Sequence, residues 1–332
     1  MITPGPRNLI TDVDGIAVGN AENTVLCSGT TVVLPEDPAV MAVDVRGGGP
    51  GTRDTDALDP STLVETYHGI VLSGGSVFGL AAADGATAWL SEHGIGLDMG
   101  GKALPVVPSA ILFDLANGGN KDWGSENPYP ALARNACDNA GRDFTLGNSG
   151  AGMGATAGSI KGGLGSASLV DEAGYQVGAV VACNPMGEVL IPGTDIFWAW
   201  PFECVDEFGG KTPQNKLEGP LPLSLPDMPP ITTNTTIGVV AVNAALTKAQ
   251  AHRVAIIAQD GLSRAIRPAH TPYDGDTIFV IATAKKALAD PHPLLLARLG
   301  TMAADCVARS IARGAYEATS IPGHPAYCQK EA

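Results

Sequence analysis

The chain has 332 residues, of which 45% are hydrophobic and only 16% charged, with a formal net charge of −14. That length supports one large core or two ordinary domains. The acidic balance excludes nucleic acid and anionic membrane surfaces as partners, since both require clustered Lys and Arg. So small a charged surface favours an oligomer that buries part of it.

Met1-Ile2-Thr3-Pro4-Gly5-Pro6 lacks the charged-then-apolar pattern of a signal segment, and no apolar run approaches the roughly 20 residues that span a bilayer. A soluble, cytoplasmic protein is expected. Short β-rich runs follow at 30–34 and 70–72. The turn at Gly74-Gly75 opens an alanine-rich helix over about 77–91. Glycines, 42 in all, recur in clusters that mark tight turns and close backbone approaches. One cluster, Gly150-Ala151-Gly152-Met153-Gly154-Ala155 with Asp171 downstream, fits a relaxed dinucleotide fingerprint. The stretch before it, 143–149, makes a poor buried strand, which argues against a nucleotide site.

Strands are expected at 177–182 and 188–191. The stretch 209–231 is proline-rich, polar and aperiodic, and reads as a linker. Beyond it come an apolar strand from Ile237, a helix over about 247–265, a strand at 277–282 and a helix over about 293–313. Helices lying between groups of strands predict sheets packed on sheets with helices outside. Six cysteines (Cys27, Cys137, Cys183, Cys204, Cys306, Cys328) contain no CxxC, so reduced, mostly buried thiols are expected. The histidines (His68, His93, His252, His270, His292, His324) have no paired ligand spacing, and neither a metal nor a cofactor is expected.

The junction Ile231-Thr232-Thr233-Asn234-Thr235-Thr236-Ile237 sits where this linker enters the apolar strand. A threonine hydroxyl needs a base within hydrogen-bond reach to act as a nucleophile. An N-terminal threonine carries its own, because an α-amine titrates at about 7.7 to 8.0, close to working pH. Breaking Asn234-Thr235 would create that amine. The same residues also fit a plain β-branched strand start.

In order along the chain, several motifs resemble the N-terminal nucleophile hydrolases that include the L-aminopeptidase/D-Ala-esterase DmpA, the β-aminopeptidases and the 6-aminohexanoate-oligomer (nylon oligomer) endohydrolase. They are Ile10-Thr11-Asp12-Val13-Asp14-Gly15, Ser73-Gly74-Gly75-Ser76-Val77-Phe78, Val106-Val107-Pro108-Ser109, Gly150-Ala151-Gly152-Met153, Lys161-Gly162-Gly163-Leu164-Gly165, Asn184-Pro185-Met186-Gly187, Asn234-Thr235-Thr236 and Asp274-Gly275-Asp276-Thr277. The nylon-oligomer branch is nearest in pattern.

The resemblance implies a single α+β hydrolase domain built as a four-layer αββα sandwich, usually in a homotetramer. It implies autocleavage into 1–234 and 235–332, with Thr235 as the new N-terminal nucleophile. Lys161 and Asn184 are expected beside it: Lys161 to depress the amine pKa, Asn184 to offer an amide N–H to an oxyanion. Asp274 and Asp276 are expected to orient Lys161 and stabilise the ammonium form of the N-terminus.

Taken alone, a solvated lysine, an Asn-Pro turn and an Asp-Gly-Asp turn also account for these residues. Phe113 stands where some relatives carry a tyrosine, so a second oxyanion donor is sought among the backbone N–H groups of 74–77. The implied activity is hydrolysis of a small amide or short oligomer, with linear amides of unbranched spacer favoured. The alternatives are acyl transfer of the ornithine acetyltransferase type on the same fold, and a relative that never cuts.

Overall fold

The structure is a computed structural model that describes residues 1–214, 234–290 and 292–329. From residue 215 to 231 the expected linker lies outside them. Two large sheets dominate. The first has six strands, in spatial order Ile2–Thr3, Gly163–Asp171, Gln176–Asn184, Thr235–Ala244, Thr277–Lys286 and Val40–Val45. The second has five: Ile16–Asn23, Ser28–Pro35, Ile70–Ser73, Ser109–Ile111 and Thr52–Arg53.

The strand Thr235–Ala244 explains the arrangement best. Every residue of it is buried. It pairs antiparallel with Gln176–Asn184 and parallel with Thr277–Lys286. Side chains of a strand alternate between faces. Ile237, Val239 and Ala241 therefore enter the core shared with Val18, Val33, Ile70 and Leu72 of the second sheet. Val240, Val242 and Ala244 enter the opposite core, with Val254, Val307 and Ile311. Fully burying each large aliphatic side chain is worth roughly 1.5–3 kcal/mol. A strand apolar on both faces can lie only between two layers, which is why the sequence reads there as a continuous apolar run.

The helices Lys248–Ala258, Asp260–Ala265 and His292–Tyr316 cover the outer face of the six-stranded sheet. Ala82–Glu92 and Tyr129–Asp138 cover the five-stranded one through Ala86, Leu90, Leu132 and Ala136. The layers run helix, sheet, sheet, helix, as expected. Close approach of the long helix to its sheet depends on glycine: a Cβ at Gly165 would lie 1.8 Å from Ser310 O. Arg309, on that helix and buried, fixes the packing further. It donates to both Glu207 carboxylate oxygens (2.5 and 3.0 Å), Ser168 O (3.0 Å) and Asn8 Oδ1 (2.8 Å).

Several expectations need correction. The helix expected over 77–91 begins as a 3-10 segment, Ser76–Ala81, before the α-helix proper. The 247–265 helix starts where its capping signal places it: Thr247 accepts from Gln250 N and Gln250 returns the bond to Thr247 N. It is interrupted at Gln259, whose amide donates to Asp44 O at 2.7 Å. Residues 188–191 form no regular strand; they make only isolated bridges to Arg267 and Phe197. The segment 150–155 is a buried 3-10 turn followed by a short hairpin, Thr156–Ala157 with Ile160–Lys161, where a dinucleotide fold needs a helix.

Candidate active site

Thr235 is the first residue of its strand and only 2% exposed. Its Oγ1 donates to Asn234 O, the carbonyl oxygen of the preceding bond, at 2.5 Å. The hydroxyl therefore lies against the peptide group that cutting would break. Two neighbouring segments hold it there.

The first is the turn from His270 to Asp276. Tyr273 O accepts from Asn234 N (3.1 Å), and Gly275 N donates to Asn234 O (3.0 Å). This turn runs parallel to Asn234. Glycine is required at 275, since a Cβ would stand 2.7 Å from Thr235 Oγ1. The two flanking carboxylates point inward and are almost fully buried. Asp274 accepts from Met186 N (3.1 Å), Thr271 N (2.9 Å) and Thr271 Oγ1 (2.6 Å). Asp276 accepts from Thr236 N (2.9 Å) on one oxygen and from His270 N (2.9 Å) on the other, which also meets His270 Nδ1 at 2.8 Å. Burial, and then the neighbouring Asp276 charge, push the Asp274 carboxyl above its ordinary range.

The second segment is the end of the strand Gln176–Asn184. Register places Asn184 directly opposite Thr235. Asn184 Oδ1 accepts from Thr156 N at 2.9 Å, which fixes the orientation of the amide, and Nδ2 gives one hydrogen to Phe113 O at 3.1 Å. Its second amide hydrogen is available to an oxygen in the site. Thr156 in turn pairs with Lys161 across the short hairpin.

Lys161 is fully buried, and burial pulls its ammonium down to about 7 against the attraction of Cys27, Cys183 and Asp114. Its Nζ donates to Gly152 O and Gly162 O, both at 2.9 Å. A neutral amine retains the two hydrogens those carbonyls need.

Thr235, Asn184, Asp274 and Asp276 thus come together, and Lys161 joins them through Thr156. Two expectations change. The carboxylates do not orient Lys161, because their oxygens are engaged by the N–H groups of Met186, Thr271, Thr236 and His270 and by the Thr271 and His270 side chains. The expected second oxyanion donor among residues 74–77 is largely spent: Gly74 N donates to Gly29 O, Gly75 N to Asp114 Oδ1 and Ser76 N to Leu112 O. Sequence reasoning did not single out His270, Thr271, Thr156 or the Gly275 N–H. The Asp-Gly-Asp spacing was the one available signal for the last. Among the described residues, no group of three His, Cys, Asp or Glu side chains is placed to hold a metal ion, and no helix is long and apolar enough to cross a membrane.

Residues 8–327 match peptidase family S58. The chain belongs to that family. An uncharacterized aminopeptidase of Mycobacterium tuberculosis is 42% identical over 342 residues, covering 96% of this chain and 97% of the relative. The 6-aminohexanoate-oligomer endohydrolase of a Kocuria species is 28% identical, covering 84% and 76%. Both relatives span most of this chain, the nylon-oligomer protein at the lower identity.

Among solved structures, a Burkholderia β-aminopeptidase aligns with a TM-score of 0.70 at 22% identity, covering 96% of this chain and 89% of the other. The L-aminopeptidase D-Ala-esterase/amidase of Ochrobactrum anthropi, described as a variant of the Ntn hydrolase fold, aligns at 0.66 and 20%, covering 97% and 90%. The fold is that of the N-terminal nucleophile hydrolases, and the S58 chain is an amide-bond hydrolase.

Proposed function

We propose that this S58 chain cuts itself between Asn234 and Thr235 and then hydrolyses amides with Thr235 as an N-terminal nucleophile. The observation that carries the reading is the buried Thr235 hydroxyl, hydrogen-bonded to the carbonyl oxygen of the bond that would break. In self-cutting, Thr235 Oγ1 bonds to the Asn234 carbonyl carbon and its proton ends on the departing Thr235 nitrogen. Water then cleaves the resulting ester. The products are fragments 1–234 and 235–332, which remain parts of one fold because Thr235–Ala244 is a central strand of the six-stranded sheet.

In turnover, the freed α-amine takes the hydroxyl proton as Oγ1 attacks the substrate carbonyl, and passes it to the leaving amine; water then cleaves the acyl-enzyme ester, releasing the acid and restoring the threonine hydroxyl. Asn184 offers its remaining N–H to the oxyanion. Asp276, bonded to Thr236 N, sits one residue from the new ammonium and favours its charged form. Lys161, buried and brought close to neutrality near pH 7, adds positive potential as it charges and so lowers the amine pKa.

The relatives' names point to aminopeptidase or oligomer-amide substrates. The six unpaired cysteines fit a reducing, cytoplasmic setting. Exposed apolar side chains such as Leu63, Val77, Phe78 and Val205 fit assembly of copies into a tetramer. Denaturing mass spectrometry of freshly prepared, active protein tests the reading. Two fragments, the smaller beginning at Thr235, are expected; active protein present only as the intact chain would sink it.

A further inference from the structure

The carbonyl oxygen of Asn234 is held by Gly275 N–H, and the N–H of the same residue is held by Tyr273 O. Both contacts use main-chain atoms only. Together they clasp an extended residue by its amide hydrogen and its carbonyl oxygen, with the carbonyl carbon presented to Thr235 Oγ1.

If Thr235 is the nucleophile, as proposed above, self-cutting passes through an ester between Asn234 and Thr235 Oγ1. A substrate's acyl-enzyme is the same bond at the same oxygen. A donor positioned on the first carbonyl oxygen is therefore positioned on the second. We infer that the main-chain slot between Tyr273 O and Gly275 N, which grips Asn234 in the uncut chain, is the acyl subsite of the cut enzyme, with the Gly275 N–H as its oxyanion donor.

Three observations support this assignment. The slot is rigid before any substrate arrives: Asp274 ties the turn to Met186 and Thr271, and Asp276 ties it to Thr236 and His270. Preorganised donors of this kind do not have to reorganise when charge develops. Position 275 brings its backbone so near Thr235 Oγ1 that no side chain fits there. The other backbone donors considered, at Gly74, Gly75 and Ser76, already have acceptors in the protein.

In the step itself, the Oγ1–carbon bond forms while the hydroxyl proton moves to the Thr235 amine. The carbonyl electron pair shifts to the oxygen held by Gly275 N–H. It returns as the carbon–nitrogen bond breaks, and the leaving nitrogen takes the proton. The slot also states what acyl group it takes: one bearing an N–H on the carbon next to the carbonyl, since Tyr273 O needs a donor at that spacing. The carboxyl end of fragment 1–234 is such a group, and it must vacate the slot before substrate enters.

The cut enzyme can be assayed with the p-nitroanilides of L-alanine, N-acetyl-L-alanine and propanoic acid. The first two present an N–H to Tyr273 O and the third does not. We expect kcat/KM for both alanyl substrates to exceed that for the propanoyl one by about tenfold or more, the scale of one well-placed hydrogen bond to a buried acceptor. Equal rates for all three would overturn the slot while leaving the threonine chemistry standing. A high rate for L-alanyl alone would also overturn it, in favour of an ammonium pocket elsewhere. Turnover that survives in Thr235→Ala would instead remove the reading beneath it. Gly275→Ala, checked for folding by circular dichroism, should remain uncut because its Cβ would meet Thr235 Oγ1; cutting at the wild-type rate would show that the turn gives way and would overturn the rigid slot.

Discussion

At Arg309, a buried guanidinium faces a buried carboxylate, a side-chain amide oxygen and a main-chain carbonyl, and each of these acceptors is engaged at 2.5–3.0 Å. At Thr235, two buried carboxylates lie within one turn with no lysine or arginine among the described residues bonded to either. There the Asp274 carboxyl is pushed up, Lys161 is pulled down, and Thr236 Oγ1 is buried with no hydrogen-bond partner. The first cluster spends its charges on holding the long helix and residue 207 together. The second holds titratable groups away from their ordinary values, burial raising Asp274 and lowering Lys161 to about 7, a pattern that marks candidate functional sites and that stability does not favour.

Substitutions in the two clusters should therefore fail in opposite ways. Thr235→Ala should abolish cutting and lower amide turnover by a factor of about 10⁴ or more, yet shift the unfolding free energy by only about 1 kcal/mol. Activity assays and urea titration read both. Arg309→Leu should do the reverse, destabilising the fold by about 3–5 kcal/mol because the buried Glu207 loses its two-point guanidinium partner and keeps only the longer contact with Arg313 at 3.5 Å as a cation. Whatever folds should still be cut, as a denaturing gel would show. If Arg309→Leu blocked cutting in folded protein, the two clusters would not be separate.

Lys161 gives a pH-dependent contrast. The native amine releases its proton at about 7, against an ordinary value of 10.5. Between those values the unfolded chain binds the extra proton, so the Lys161 contribution to stability rises with pH across that window and is complete above it. Lys161→Met should remove this rise, seen as a flatter dependence of stability on pH from 7 to 10.5. An unchanged dependence would mean that the amine is ordinarily charged.

The smallest effect belongs to Thr236→Val. It removes a buried hydroxyl that lacks a partner and keeps the N–H that Asp276 accepts. A gain of about 1 kcal/mol is expected in urea titration, with cutting unaltered. Loss of cutting would move the nucleophile from Thr235 to Thr236.

How much of this was legible in the sequence depended on what each residue contributes. Thr235 and its strand announced themselves, because a run apolar on both faces has one place in a layered fold. Asn184 was legible as a strand end, and Asp274 and Asp276 as carboxylates flanking a glycine. Lys161 was recognised, but not where its amine points, since that depends on carbonyls of the 150–163 turn. Gly275 N–H and Tyr273 O are main-chain atoms, which carry no residue-type signature. His270 sits six residues before Asp276, a spacing that names no motif. The helix Tyr129–Asp138 was not among the expected elements; it carries Pro128 at its N-cap and Pro130 in its first turn, where proline is accommodated.

The most direct test of the central claim is to map where an acyl group lands. Cut enzyme exposed briefly to p-nitrophenyl acetate, then denatured, digested and analysed by tandem mass spectrometry, should carry acetyl on the peptide that begins with Thr235. It should lie on the hydroxyl, or on the α-amine after migration. Acetyl absent from Thr235 and found on Lys161, Ser76 or a cysteine of protein that turns over normally would contradict the account.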